Sequence, residues 1–176
     1  VLRPGGIVQG AYPVDRAPYM FSGALTLRVG SSLGANYCVS NENCNGTRAE
    51  TWAFGSERAS DNNFELSVFG SGPGGFGFFL ASQTQDFVAN PGGSSGNLCL
   101  GGAIGRFIGP GQITVADAFG RASLTVDLGR MPLPTGLVQV VAGEAWNFSH
   151  WHRALGGVMC SDPSSNFADG LEVTFQ

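Results

Sequence analysis

The 176-residue chain is 43% hydrophobic but only 12% charged, with a net charge of −4, where an average soluble protein is roughly 25% charged. Its 9 basic residues are all arginines, spaced singly. This leaves no stripe to track a phosphate backbone and no polybasic membrane anchor, so no nucleic-acid partner is expected. No apolar run approaches the roughly 18 residues that span a bilayer as a helix, so no membrane insertion is expected.

Residues 1–19 hold three prolines (Pro4, Pro13, Pro18) and little periodicity. They are expected to form an extended N-terminal arm, with Ile7, Val8, Tyr12 and Val14 as candidates for pairing with another copy. Residues 20–176 are expected to form one domain. In Gly23–Val29, Leu25, Leu27 and Val29 alternate with Thr26 and Arg28, the period of a half-buried strand. Residues 30–47 read as a polar turn region. Thr51–Phe54 and Phe64–Phe69 read as strands, the second with Phe64, Leu66 and Val68 on one face. Gly70–Gly75 reads as a hairpin turn. Phe76–Ala81 is apolar on both faces, as a central strand would be. Asn90–Gly96 reads as a loop.

Ile113–Val115 and Ala122–Leu128 are the next expected strands, and the second alternates most cleanly. Met131–Thr135, with two prolines, is expected to break the chain. Leu137–Val141, Ala145–Arg153 and Leu171–Phe175 complete the set, with residues 161–170 as a loop. About nine or ten strands between frequent turns point to an all-β, single-domain β-sandwich, immunoglobulin-like or jelly-roll. No apolar stripe has helical spacing over a useful length.

The 4 cysteines, Cys38, Cys44, Cys99 and Cys160, lack zinc-site spacing and are expected to form two disulfides, which implies an oxidising compartment. A leader peptide is then expected to have been removed before Val1. Three connectivities are open, and spacing alone favours Cys38 with Cys44 and Cys99 with Cys160.

Long motifs carry a resemblance. FGFFLASQTQDFVANPGGSSGNLCLGGAIGRFIGPGQI (Phe76–Ile113), GEAWNFSHWHR (Gly143–Arg153) and SNFADGLEVTF (Ser165–Phe175), with NYCVSNENCNG upstream, resemble a C-terminal module of large secreted proteins from planctomycete- and myxobacterial-type bacteria. The likeness covers roughly residues 36–175 and implies an exported surface or matrix protein of no established activity. Related modules carry cysteines at the positions of Cys38 and Cys99, but neither at Cys44 nor around Cys160. The resemblance therefore implies the pairs Cys38–Cys99 and Cys44–Cys160.

Chemistry-bearing patterns are few. Gly30–Gly34 fits a nucleophile elbow around Ser32, and Gly70, Gly72 and Gly75 fit GxGxxG. Neither precedes a helical segment, which both motifs need. His150 and His152 share one strand face and are candidate metal ligands, with Glu144, Asp162 or Asp169 as a third. Trp146 and Phe148 lie on that same face, which argues for packing instead. The related modules carry a small residue and an aromatic at the two histidine positions, so the resemblance implies no metal site.

Trp151, Asn147 and Arg153 share the opposite face and form a candidate sugar-stacking platform or packing surface. Residues 161–170 and Asp61–Asn63 offer oxygen atoms but no calcium-loop spacing. Asn45 and Asn147 each begin an N-x-S/T acceptor pattern.

The expected function is that of a non-catalytic, secreted structural or adhesive cell-surface protein that self-assembles by strand addition through its arm. Its expected partners are copies of itself or other extracellular matrix and surface proteins, and it needs no cofactor. Two alternatives are a carbohydrate-binding module with glycan partners and a metal-dependent hydrolase at His150 and His152.

Overall fold

The computed structural model describes residues 32–43, 46–153 and 165–176. Its strands are β1 (Ala35–Tyr37), β2 (Glu50–Gly55), β3 (Phe64–Phe69), β4 (Phe76–Ser82), β5 (Thr84–Ala89), β6 (Asn97–Gly101) and β7 (Gly105–Arg106). They continue with β8 (Thr114–Val115), β9 (Ala122–Val126), β10 (Met131–Leu133), β11 (Gly136–Val138), β12 (Ala145–Arg153), β13 (Ser165–Phe167) and β14 (Gly170–Thr174). All pairings between them are antiparallel. Helix among these residues is limited to two 3-10 turns, Ala59–Asp61 and Pro91–Gly93.

Alternation builds two facing sheets. One has the order β2-β3-β9. The other has the order β1-β14-β12-β4-β7, with β13 also pairing β12 and β8 also pairing β4. The small sheet turns Ala53, Phe64, Leu66, Val68, Ala122 and Val126 inward. They meet Phe79, Ala81, Trp146, Phe148, Leu171 and Val173 of the large sheet in one core. Phe64 sits at the centre, its ring 5.4 Å from Phe148 and 5.2 Å from Phe175. This is the expected all-β sandwich.

The large sheet is covered on its outer face too, because β5 and β6 form a hairpin that packs there. A second cluster of Leu80, Leu100 and Phe167, with Phe78, Leu98, Ile104 and Trp151, fills the gap. The hairpin is held down by the Cys38–Cys99 disulfide. The Tyr37 hydroxyl also donates to the Cys99 carbonyl at 2.9 Å, and the Gln85 amide donates to the Glu172 carboxylate at 2.7 Å. Closing a loop between cysteines 61 residues apart removes unfolded-chain entropy and stabilises by about 4 kcal/mol in the loop-entropy model. The expected Cys44–Cys160 pair lies outside the described residues, as do the arm 1–19 and the strand Gly23–Val29.

Several expectations are corrected. Gly70–Gly75 is no hairpin turn. It carries the chain from β3 in the small sheet to β4 in the large one, and Gly70 has φ 77° with its α-carbon facing the Arg48 carbonyl. Met131–Thr135 does not simply break the chain: Met131–Leu133 pairs with β11, Pro132 opposite Leu137, in a two-stranded ribbon. Such a ribbon tolerates a residue without an N–H better than a central strand does. The turn region 30–47 contains β1, and the loop 161–170 contains β13.

Candidate functional site

On the outer face of the large sheet, β4 presents Phe76, Phe78 and Leu80, and β12 presents Trp151 and Arg153. The register places Phe78 opposite Trp151, Phe76 opposite Val115 and Leu80 opposite Arg106. Trp151 is half-buried and stacks on Phe78, with centroids 4.9 Å apart and planes 28° apart. Phe76 lies 6.0 Å away, and the Arg153 guanidinium carbon lies 5.9 Å from the Trp151 ring centroid. Phe76 is 44% exposed and its neighbour Val115 66% exposed. The result is an aromatic row that is open at the Phe76 end and roofed by the β5–β6 hairpin at the other.

Under the roof lies a cavity of about 190 Å³ walled by Phe78, Leu80, Leu98, Ile104, Phe167 and Trp151, with Arg106 at its rim. Arg106 is exposed and has no ion-pair partner among the described residues. Asn147 shares the outer face of β12 but not the row. It is buried, its amide nitrogen donates to the Ser82 carbonyl at 3.3 Å, and its Oδ1 has no partner among the described residues. The acceptor pattern at Asn147 is therefore buried inside a strand, while Asn45 lies outside the described residues.

His150 and His152 face the other way, on the inner side of β12, and both are 1% exposed. The Thr114 hydroxyl donates to the Gly77 carbonyl, so the His150 Nε2–H donates to Thr114 Oγ1 at 3.1 Å. Asn43 Oδ1 accepts from both the His152 Nε2–H and the Asn166 amide, each at 3.0 Å. That assignment leaves both Nδ1 atoms as bare acceptors, and neither has a partner among the described residues.

Burial therefore holds both imidazoles neutral. It lowers His152 to about 4 and His150 well below the usual imidazole range, with the neighbouring His152 adding to the shift. Gly77 is required here, because a Cβ would overlap the His150 ring and the Trp151 carbonyl.

The two rings stack 5.7 Å apart with planes 19° apart. A metal bound by both nitrogens must lie close to both ring planes, and nearly parallel stacked planes offer no such point nearby. Of the candidate third ligands, Glu144 accepts from the Trp146 indole at 3.0 Å and from the Val141 backbone at 3.1 Å. Asp169 accepts from the Thr51 backbone at 2.6 Å and the Asn36 amide at 2.9 Å, and burial raises its carboxyl to about 6. Asp162 lies outside the described residues. Among those described, no group of three or more His, Cys, Asp or Glu could hold a metal ion.

The other patterns serve the fold. Ser32 is exposed and followed by strand β1 instead of a helix. Asn62, at φ 43°, accepts from the Leu128 backbone and donates to Asp127, while Asp61 accepts from the Ser56 hydroxyl. That loop ties β9 to β3.

Sequence reasoning did not anticipate Phe76, Phe78, Leu98, Ile104 and Arg106 as parts of a site. A signal was present: a strand apolar on both faces needs a second cover, and FGFFLA is such a strand.

The described residues define an all-β protein, a two-sheet sandwich with a disulfide-linked hairpin on its outer face. None of their helices is long and apolar enough to cross a membrane. Comparison with protein-family models, curated proteins and solved structures finds no match to this chain.

Proposed function

We propose that this chain is a non-catalytic structural and adhesive module of an exported bacterial surface or matrix protein, making contact through its outer aromatic row. One observation carries the reading. Phe76 and Val115 stand side by side, 44% and 66% exposed, next to Trp151 and Arg153. Contiguous apolar side chains in water are unfavourable unless something covers them, and Trp and Arg are enriched where proteins make contacts.

The Cys38–Cys99 disulfide supports export, since such bonds persist in oxidising compartments. The titratable groups that burial perturbs, His150, His152, Asp169 and Tyr37, are engaged in holding strands together, which supports a scaffold. Partners are copies of the protein, other matrix or surface proteins, or glycans.

Purified protein should adsorb saturably to bacterial envelope or matrix preparations. Phe76→Ser/Val115→Ser should weaken adsorption at least tenfold without changing the melting temperature. Undiminished adsorption by that double variant overturns the reading. The carbohydrate-binding alternative rests on the Arg153 guanidinium beside Trp151. It predicts glycan-array signals that Trp151→Ala abolishes.

A further inference from the structure

We infer that the cavity beneath the β5–β6 hairpin is a binding site for a small amphiphilic carboxylate, its apolar tail in the cavity and its carboxylate on Arg106. This goes beyond the adhesive reading and does not depend on it, because the cavity walls Leu98 and Ile104 and its rim Arg106 are separate from the exposed pair Phe76 and Val115.

Three observations converge. The walls are apolar and aromatic, and they come from β4, β6, β12, β13 and the segment around Ile104. The space, about 190 Å³, exceeds the roughly 150 Å³ that holds benzene in an apolar protein cavity. It therefore suits a phenyl ring or an acyl tail of roughly six to eight carbons. The single charge at the rim is a guanidinium, which matches a carboxylate with two parallel hydrogen bonds. The register sets Arg106 directly opposite Leu80, one of the walls, so its side chain starts at the cavity's edge and lines it.

An apolar box with one cation at its mouth selects against neutral and cationic ligands of the same shape. It also selects against short acids, which leave the box unfilled. The roof is stapled by Cys38–Cys99, so the site is formed before the ligand arrives and costs little ordering on binding.

The test is calorimetric titration of the intact oxidised protein with butyrate, hexanoate, octanoate, 3-phenylpropionate and octanol, alongside Trp fluorescence. Affinity should rise about fourfold per methylene from butyrate to octanoate. 3-Phenylpropionate should bind comparably to octanoate, and octanol at least tenfold more weakly. Arg106→Gln, a surface change, should cost at least tenfold for the acids and leave octanol unaffected. Ile104→Trp, which fills the cavity, should abolish binding of all five, while its circular dichroism and melting match the parent.

The inference is overturned by no measurable binding of octanoate or 3-phenylpropionate. It is equally overturned if octanol matches octanoate, or if Ile104→Trp still binds. Loss of adsorption in Phe76→Ser/Val115→Ser with carboxylate binding intact separates this site from the adhesive row.

Discussion

The buried imidazole pair gives a prediction whose size follows from the structure. His152 lies in the core at about 4 against an ordinary value of 6.5. A histidine with a lowered folded-state value stays neutral in the native protein while the unfolded chain takes up a proton. Its contribution is therefore present above pH 6.5 and is lost as the pH falls towards 4. Integrating that difference down to pH 4.5 gives about 2.5 kcal/mol of lost stability.

His150 acts in the same direction. Asp169 opposes both: its carboxyl, raised to about 6, favours the folded state at low pH, and that favour is lost as the pH rises through 6. The wild-type profile alone therefore mixes opposing slopes, and a comparison isolates the histidine.

His152→Gln keeps a donor for Asn43 and removes the titration. Urea unfolding with disulfides intact, at pH 7.5, 5.5 and 4.5, should show the variant's deficit against wild type shrinking by about 2.5 kcal/mol between the extremes. The deficit should not change above pH 7. Stability curves that stay parallel from pH 7.5 to 4.5 would refute the assignment of His152 as a neutral core residue.

Other consequences are independent of pH. Phe148→Ala, in the middle of the core and in contact with Phe64, should cost about 3–5 kcal/mol in denaturant unfolding. Gly77→Ala should cost about 2 kcal/mol or more, because its Cβ meets the His150 ring; Gly72→Ala, where a Cβ meets nothing within 4 Å, is the matched control. If the arm assembles copies by strand addition, deleting residues 1–19 should abolish oligomers in sedimentation while leaving the circular dichroism of the sandwich intact.

How far the sequence discloses this molecule depends on whether burial is one-sided. Phe64–Phe69 falls where alternation puts it, because one face meets the core and selection on that face leaves a period of two. Ala145–Arg153 keeps the same period although both faces are covered, because its outer face carries the polar Asn147 and Ser149 opposite the apolar Trp146 and Phe148. The hairpin was invisible for the opposite reason. Every residue of Thr84–Ala89 is exposed, and its register shifts between Gln85 and Val88, so no alternation marks it. Ala35–Tyr37 and Ser165–Phe167 are too short to show a period.

The inward direction of His150 and His152 was legible from Trp146 and Phe148, which precede them at every second position of the same strand. The half-buried, stacked state of Trp151 was not, because it depends on Phe78 across the sheet. The cavity depends on Leu98 arriving from a hairpin with no sequence signature and on Ile104 from the short segment that follows it. The Cys38–Cys99 bond followed from a resemblance, not from spacing, which favours the nearer cysteines.

The stapled roof, the preformed cavity and the proposed export all depend on Cys38 and Cys99 being joined in the working protein. Non-reducing peptide mapping of material from its natural source, alkylated at harvest, tests this directly. The account predicts a single linked peptide containing both residues, released only by reductant. Recovering Cys38 and Cys99 on separate, alkylated peptides would contradict it.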